Sequence, residues 1–371
     1  MVGFVPLPTL RLLVHMKVKL TKSNQVNSCY FRTSVSGGNR KALIKITERC
    51  NLKCVHCFVS SGDFGDEMRL VDIQKQIIPQ LIDARVISVT LTGGEPFIHT
   101  EIKDVIRAFI NAGLSVSICS NGVGLAPNII EFLKEFKNIT VNISLDGFSE
   151  STHGKFRGNK KSFNETIDSI ALLNEAKLLK GLLSTPNSLS NIDEYEELIK
   201  FSIKNNAKYV LMNPLGNFGR GEKSTKKLRF PDSSMSELYN RIIKYSDQVE
   251  IVDIRFPNTN GKLLASCEAG NIIYIFTNGD VTVCPYLVFA SKTKVSKYNE
   301  NEFIVSNILN SSSLRKVLDG YDIHQNYSLG NNKQCNTCKS KLQCGKGCPA
   351  AIIASGQNID GVDYDLCPIN N

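Results

Sequence analysis

The sequence predicts an α/β protein in which a partial (β/α)6 barrel precedes a cysteine-rich C-terminal region. Short β-branched runs alternate with amphipathic helical patterns from Lys41 onward, which is typical of repeated βα units around a parallel sheet. Six such units are too few to close the eight-stranded form of the barrel, so we expect an open, curved sheet. After about Val249 the pattern changes to short strands, Asn-Gly turns and clustered cysteines.

The length and composition are those of a globular protein with room for two domains. A chain of 371 residues can bury one large or two medium cores, and its 42% hydrophobic and 21% charged residues do not indicate disorder. We expect residues 1–40 to form an arm, residues 41–246 the barrel and residues 247–371 the cysteine-rich domain, with the boundary near Ser246.

The net charge and the hydropathy of the sequence argue against nucleic acid and membranes as partners. The formal net charge of +9 is spread along the chain, which disfavours a dedicated nucleic-acid surface. The N-terminus lacks a signal-peptide pattern, and no run approaches the roughly 18 apolar residues of a membrane span. We therefore predict no nucleic-acid partner, no membrane association and a cytoplasmic location, where thiols stay reduced and can bind metals.

The elements of the barrel follow from apolar periodicity. The predicted strands are residues 42–47, 86–92, 114–120, 139–144, 181–184 and 209–213. Helical spacing predicts a helix over residues 102–110 that ends at Gly113. A capping-box pattern at Ser162 and Glu165 predicts the start of another helix. A third helix, over residues 70–81, should be kinked by Pro79.

The C-terminal region contains a predicted β-hairpin and a short helix. Residues 272–276 and 281–284 flank an Asn278-Gly279 turn, and residues 314–318 have helical spacing. Just before this region lies a basic run that we interpret as a solvated loop, with docking of an acidic peptide as the alternative: Arg220, Lys223, Lys226, Lys227 and Arg229.

Polar loops follow the first four predicted strands. The first strand leads to Cys50 and the second to residues 93–96, which read Gly-Gly-Glu-Pro. The third leads to residues 120–122, with Asn121 at the centre, and the fourth to residues 144–147. Because reactive groups in parallel βα barrels lie after the carboxyl ends of the strands, we expect these four loops to converge on one mouth.

The first of these loops carries three cysteines in a C-x3-C-x2-C arrangement, at Cys50, Cys54 and Cys57. Iron–sulfur clusters are held by cysteine thiolates, normally four of them, so three thiolates leave one position open. A structural zinc site is the alternative, but it needs four ligands, and His56 is more plausibly a packing residue.

This loop resembles the signature of the radical S-adenosylmethionine superfamily, C-x3-C-x-aromatic-C, with His56 at the aromatic position. The resemblance implies one 4Fe-4S cluster whose open iron binds S-adenosylmethionine. It implies cofactor contacts from Gly93, Gly94 and Glu95 to the amino group, from Ser144 and Asp146 near the carboxylate and ribose, from Arg157 to the carboxylate, and from Asn121. A strand-end turn is the alternative for Ser144, and a surface ion pair is the alternative for Arg157.

A second group contains seven cysteines, listed in order: Cys267, Cys284, Cys335, Cys338, Cys344, Cys348 and Cys367. It resembles the SPASM domain, which carries two auxiliary 4Fe-4S clusters, and a zinc ribbon is the alternative. The resemblance assigns four cysteines to a distal cluster: Cys335, Cys338, Cys344 and Cys367. It assigns three to a proximal cluster: Cys267, Cys284 and Cys348. We therefore expect an open iron or a non-cysteine ligand at the proximal cluster, with Cys29 and Cys119 left over.

The resemblance implies an oxidoreductase-like enzyme that cleaves S-adenosylmethionine reductively. The 5′-deoxyadenosyl radical would modify a ribosomally made peptide or protein by a crosslink, a thioether or an oxidation. Implied partners are that peptide and a reductant such as flavodoxin or ferredoxin. Residues 1–40 are too short for a winged-helix leader-binding domain, so leader binding would need a separate leader-binding protein or the barrel itself. Pro285 stands where anaerobic sulfatase maturases typically have Asp, which argues against formylglycine formation.

Two alternative functions remain open on the sequence. One is radical modification of a small molecule such as a tetrapyrrole or a sugar. The other is a non-catalytic iron–sulfur electron-transfer or zinc-binding protein, although the three-cysteine site beside Gly94 and Glu95 argues against it.

Overall fold

The strands of the protein form one large sheet and one small one. The computed structural model describes residues 24–31, 35, 38–310 and 313–369. Its strands are β1 Gln25–Val26, β2 Arg40–Thr47, β3 Val86–Gly93, β4 Ser115–Ser120, β5 Ile139–Ser144, β6 Leu179–Ser184, β7 Tyr209–Met212, β8 Glu250–Asp253, β9 Leu263–Leu264, β10 Ile272–Ile275, β11 Asp280–Thr282 and β12 Ser306–Asn307.

Helices connect most of the strands. The α-helical segments are α1 Leu70–Asp72, α2 Ile78–Asp83, α3 Ile102–Asn111, α4 Pro127–Lys134, α5 Lys155–Arg157, α6 Ser162–Glu175, α7 Ile192–Lys204, α8 Gly221–Leu228, α9 Asp232–Ile242, α10 Pro285–Ser291, α11 Leu314–Asp319, α12 Ile323–Asn326, α13 Lys333–Thr337 and α14 Pro349–Ala354. Two π-helical segments, Ile73–Ile77 and Glu150–Gly154, precede α2 and α5.

The large sheet has ten strands in the order β12-β11-β10-β2-β3-β4-β5-β6-β7-β8. From β10 to β8 all neighbours are parallel, and β11 and β12 add an antiparallel edge. All six predicted barrel strands are present as β2 to β7, which confirms the α/β partial-barrel fold. The sheet continues past residue 246 into β8, and β10 of the cysteine-rich region pairs with β2.

A large apolar core lies between the sheet and its helices. Ile44 and Ile46 on β2 are fully buried, as are Ile106 and Phe109 on α3. The core positions of α3 recur at three- and four-residue spacing, so one face of the helix covers the sheet while its other face meets water. No described helix has the length and apolar character needed to cross a membrane.

Three local predictions need correction or refinement. Ser162 is the first residue of α6 and does not cap the helix. Its hydroxyl donates to Asn159 O at 2.7 Å, and the Glu165 carboxylate accepts from Gly124 N–H instead of from the start of the helix. The capping-box prediction is therefore wrong. Where a kink was predicted at Pro79, the helix widens into a π-helical segment just before it. The basic run predicted as a loop forms α8 over most of its length.

The predicted hairpin is present in the cysteine-rich region. β10 and β11 pair antiparallel with Ile275 opposite Val281. Gly279 has a φ of +87° at the turn, a conformation that glycine adopts without the steric penalty of a Cβ. The hairpin extends the large sheet and positions Cys284 directly after it.

Candidate functional site

The loop that follows β2 brings three cysteines together at the carboxyl end of the sheet. Cys50 and Cys54 are buried and pack with Leu52, and Cys57 is half-buried beside them. The backbone N–H of Cys50 donates to Gly62 O at 2.6 Å, and that of Cys57 donates to Cys54 O at 3.3 Å. The loop thus folds back on itself with its thiols on a common side.

Burial raises the pKa of the Cys50 thiol to about 12, and the neighbouring Cys54 and Cys57 thiols add to the increase. Burial also raises the pKa of Cys54. Three adjacent thiolates without a cation are therefore unfavourable here. Binding of a metal centre removes these protons, because its charge compensates the thiolates.

Helix α8 holds this cysteine loop from the other side. The Arg220 guanidinium donates to Cys54 O at 2.7 Å and to Ser61 O at 2.6 Å, and the Ser224 hydroxyl donates to Val55 O at 2.7 Å. Sequence reasoning missed this role because it assigned the basic run to a solvated loop. A contact between residues more than 150 positions apart has no local signal in the sequence.

The glycines after β3 allow the next loop to lie directly against the cysteine loop. A Cβ at Gly94 would be 2.0 Å from Arg49 O and 2.8 Å from the Cβ of Cys50. A Cβ at Gly93, where φ is +158°, would be 2.4 Å from Thr47 O. Two backbone hydrogen bonds also join these segments: Gly94 N–H donates to Thr47 O and Glu95 N–H donates to Arg49 O, both at 2.9 Å.

The Glu95 carboxylate ties the third loop to the second. Its Oε2 accepts from the backbone N–H of Asn121 at 2.7 Å, and its Oε1 accepts from Phe97 N–H at 3.1 Å. The Asn121 amide donates to Asn51 Oδ1 at 2.8 Å and lies 3.9 Å from Cys50 Sγ. Burial raises the pKa of Glu95 to about 7. The structure therefore brings Cys50, Glu95 and Asn121 together.

The fourth loop contributes a buried ion pair. Arg157 Nε donates to Asp146 Oδ2 at 2.6 Å, and Thr185 N–H donates to Asp146 Oδ1 at 2.7 Å. Both side chains are buried, so Arg157 does not form a surface ion pair. Arg157 is also near enough to Cys54 to act on the pKa of that thiol. Ser144 lies at the end of β5, half-buried and two residues before Asp146.

His56 packs as the sequence suggested. Its ring stacks on Phe156 with centroids 4.2 Å apart and planes 7° apart. Burial, with Arg157 and Arg220 nearby, lowers the pKa of His56 well below its usual range, so the ring is neutral. Among the described residues, its buried Nδ1 finds no hydrogen-bond partner. A buried polar atom without a partner is costly, which fits a place for a bound group beside the cysteines.

The second cysteine group separates into two sets in the structure. The four cysteines assigned to the distal cluster line one small cavity: Cys335, Cys338, Cys344 and Cys367. Cys284 and Cys348 are buried in one apolar cluster, with Cys267 packed against it. Each of these two buried cysteines directly precedes a helix that opens with proline, α10 and α14. The assignment of these two sets to two clusters stays a prediction.

Cys29, which the sequence left without a role, lies in the second of these sets. It is 3% exposed and belongs to the same apolar cluster as Cys284 and Cys348. Its thiol is within hydrogen-bonding reach of the thiols of Cys267 and Cys348. Sequence reasoning could not find this contact, because Cys29 and Cys267 are more than 230 residues apart and meet through tertiary structure.

The spacing of the cysteines bears on what they can bind. Within the described ranges, no group of three or more His, Cys, Asp or Glu side chains is placed to hold a single metal ion. Zinc binds thiolate sulfurs at about 2.3 Å, so its ligands crowd around one point. A four-iron cluster is larger than an ion and holds its cysteines farther apart. The donors in both cysteine groups are thiols, and thiolates are the ligands that hold iron–sulfur clusters.

Comparison with known proteins agrees with this arrangement. Mycofactocin maturase MftC of Mycolicibacterium smegmatis is 25% identical over 327 residues, which cover 86% of this chain and 80% of that protein. The subtilosin biosynthesis protein AlbA of Bacillus subtilis is 29% identical over 248 residues, and the chain spans only 54% of its length. The AdoMet-dependent heme synthase of Methanosarcina barkeri is 25% identical, covering 86% of this chain and 94% of that protein.

The fold is also that of a solved structure. Streptococcus suis SuiB bound to its precursor peptide SuiA superposes with a TM-score of 0.66 at 18% identity, covering 89% of this chain and 76% of that one. In sequence, residues 44–202 match the model of the family described as the Radical SAM superfamily. This span includes the strands and loops that build the three-cysteine site, so the part of the chain that matches the radical SAM superfamily is the part that carries this site.

Proposed function

We propose that this protein is a radical S-adenosylmethionine enzyme that modifies a ribosomally made peptide or protein, by a crosslink, a thioether or an oxidation. The observation that carries the proposal is the convergence of three cysteine thiols with the glycine loop after β3 and with Asn121 after β4. The similarity to a peptide maturase, MftC, over 80% of its length supports the substrate class.

The first site would hold one cluster and the cofactor. Cys50, Cys54 and Cys57 would ligate the cluster, with cofactor contacts from Gly93, Gly94, Glu95, Asn121, Ser144, Asp146 and Arg157. When bound, this pair supplies a 5′-deoxyadenosyl radical that takes a hydrogen atom from a substrate C–H bond. The protein would position these groups. Gly93 and Gly94 let the backbone approach the cysteine loop closely, and Arg220 holds that loop in place.

The C-terminal cysteines would hold two auxiliary 4Fe-4S clusters in a SPASM domain. The distal set is supported by the cavity that all four of its cysteines line. The proximal set includes Cys267, Cys284 and Cys348. With these clusters we propose the domain division at residues 40 and 246, although β10 joins the large sheet beside β2.

Aromatic side chains join the first site to the proximal set. Phe58, the residue after Cys57, lies 5.9 Å from the ring of Tyr286 and 5.2 Å from that of Phe289. Tyr286 and Phe289 belong to α10, which begins directly after Cys284. This contact brings the cysteine loop of the first site against the helix that follows Cys284.

Partners and location follow from the same proposal. The peptide would be presented by a separate leader-binding protein, and electrons would come from a flavodoxin or a ferredoxin. The cytoplasm supplies both the reduced thiols and these electron donors, so we propose that location.

Cofactor cleavage tests the chemistry. Protein prepared without oxygen and reduced in the presence of S-adenosylmethionine should release 5′-deoxyadenosine, and the triple change of Cys50, Cys54 and Cys57 to Ala should stop it. Cys119→Ala, outside the site, is the control. Zinc without iron or sulfide in the purified protein would contradict the proposal.

Mass spectrometry tests the substrate class. A short peptide encoded beside this protein should change mass when the two are co-expressed, and it should not change with the triple Ala variant. The similarity to a heme synthase over 94% of its length favours a tetrapyrrole as the second candidate substrate. Conversion of an added iron tetrapyrrole, with no mass change in the peptide, would replace the peptide proposal by this one.

A further inference from the structure

The short strand β1 places an N-terminal cysteine beside the proximal cysteine set. β1 pairs in parallel with β9, with Gln25 opposite Leu263 and Val26 opposite Leu264. Parallel partners advance together along the chain, so equal offsets stay side by side. Cys29 lies three residues after Val26, and Cys267 lies three residues after Leu264. The pairing therefore brings the two segments that carry these cysteines side by side.

The segment that carries Cys29 is tied to the rest of the protein on both sides. The Ser28 hydroxyl donates to Ala265 O at 3.1 Å, and Ser28 O accepts from Arg255 Nη1 at 2.8 Å. After Cys29, the ring of Tyr30 stacks on Tyr286 with centroids 4.8 Å apart. Tyr286 is two residues from Cys284, so the contacts on this side also lead to the proximal set.

The surroundings of Cys29 are those of the other proximal cysteines. Its thiol donates to Gly347 O at 3.5 Å, next to Cys348, and it is within hydrogen-bonding reach of the thiols of Cys267 and Cys348. Cys284 and Cys348 are both buried in the same cluster as Cys29. Four cysteines from four separate segments therefore meet in one buried place, and four is the number that closes a 4Fe-4S cluster.

A buried cation lies beside this place. The Arg255 guanidinium donates to Asp363 Oδ2 at 2.7 Å and to Asp363 Oδ1 at 2.9 Å. Asp363 Oδ2 also accepts from the backbone N–H of Cys348 at 2.9 Å. This pair fixes the segment before α14, and through Ser28 it fixes the Cys29 segment as well. One ion pair thus positions two of the four thiols.

We propose that Cys29 is the fourth thiolate ligand of the proximal auxiliary cluster, together with Cys267, Cys284 and Cys348. This inference rests on the auxiliary clusters of the proposed function. Each thiol gives its proton to solvent when its sulfur binds iron. The cluster then has no iron open to a substrate atom, contrary to what the cysteine count of the C-terminal region suggested. Its role becomes electron transfer rather than direct binding of the peptide.

The test uses the full chain with Cys50, Cys54 and Cys57 changed to Ala, so that only auxiliary clusters remain. This parent should bind about eight iron and eight sulfide per chain, since two four-iron clusters are present. Adding Cys29→Ala should lower the iron content by about one to four atoms per chain and change the electron paramagnetic resonance spectrum of the reduced protein. Cys267→Ala should affect the same spectral component, which identifies the cluster that Cys29 binds.

Two controls keep the outcome clear. Cys119→Ala, the other leftover cysteine, should keep the iron content and the spectrum of the parent. Cys29→Ser offers an oxygen ligand of similar size, so it should retain more iron than Cys29→Ala while shifting the spectrum. An unchanged iron content and spectrum in both Cys29 variants would overturn the assignment. A parent chain that binds about four iron or none would instead overturn the proposal of two auxiliary clusters, and the Cys29 assignment with it.

Discussion

Gly94 shows how a missing side chain can let two loops pack together. Its Cα lies so close to the cysteine loop that a Cβ would fall 2.0 Å from Arg49 O and 2.8 Å from the Cβ of Cys50. These neighbours are backbone or the start of a ligand side chain, so neither can move without moving Cys50. Gly94 therefore matters because it has no side chain, which leaves room for the cysteine loop.

Gly94→Ala should push the loop after β3 away from Cys50 and lower the occupancy of the first cluster severalfold. Strain of this kind costs on the order of 1–3 kcal/mol, which is enough to displace a loop that binds a cofactor. The measurement is iron per chain after anaerobic reconstitution, together with 5′-deoxyadenosine release. Gly62→Ala is the matched control, because a Cβ there meets nothing within 4 Å. Equal iron contents in the two variants would contradict this explanation.

Among the secondary-structure elements, helix α8 and its N-cap residue Arg220 hold the cysteine loop in place by hydrogen bonds. Arg220 and Ser224 donate to three carbonyl groups of that loop, and the backbone N–H of Arg220 donates to Cys57 O at 3.0 Å. These carbonyl groups lie in a loop rather than in a strand, so this helix supplies the donors that they need.

Arg220→Ala should loosen the loop without removing a ligand. Hydrogen bonds to a charged group contribute about 1.5–3 kcal/mol, so the cluster should be lost faster on exposure to a chelator, by roughly tenfold or more. The decay of the cluster absorbance measures this rate. Lys227→Ala, at an exposed position on the same helix, should decay like the unchanged protein. If both variants lose iron at the same rate, α8 does not clamp the loop.

At the scale of the whole molecule, the Arg255–Asp363 pair joins three distant parts of the chain. Arg255 follows β8, Asp363 belongs to the C-terminal segment, and both side chains are almost completely buried, at 3% and 2% exposed. Arg255 also donates to Ser28 O and lies 5.2 Å from the ring of Tyr30. The guanidinium of Arg255 thus connects the end of the sheet to the N-terminal segment and to the cysteine-rich region.

Arg255→Met should destabilise the folded protein by about 3–5 kcal/mol, because it leaves the Asp363 carboxylate buried without its partner. It should also release residues 24–31 to proteolysis. Urea unfolding under anaerobic conditions measures the first effect, and timed digestion measures the second. Arg229→Met removes an exposed pair with Asp232 and should change stability by less than about 1 kcal/mol. Similar losses in the two variants would mean that burial of the pair is unimportant.

Much of the fold and the first site could be predicted before any contact was known. The strands from β2 to β7 are apolar runs whose local pattern reports their burial, and parallel βα order places their carboxyl ends together. Cys50, Cys54 and Cys57 are neighbours along the chain, so their grouping needs no tertiary information. The same is true of Gly93, Gly94 and Glu95, which occupy one turn after β3.

Errors arose where a residue's partner is far away in sequence. Ser162 and Glu165 carry a local capping pattern, but Glu165 instead accepts from Gly124 on a neighbouring loop. A surface ion pair was the alternative for Arg157, whereas its pair with Asp146 is buried. The basic run had an ordinary solvated composition, yet Arg220 bonds to the cysteine loop.

The sequence by itself thus determined the βα order, the cysteine motifs and the loops at the mouth of the barrel, because each depends on residues close together in the chain. Only the tertiary structure decided that Cys29 completes the surroundings of Cys267, Cys284 and Cys348. The physical reason is that parallel pairing between β1 and β9 joins segments more than 230 residues apart. A pairing of only two residues per strand is too short to produce a hydrophobic periodicity in either segment.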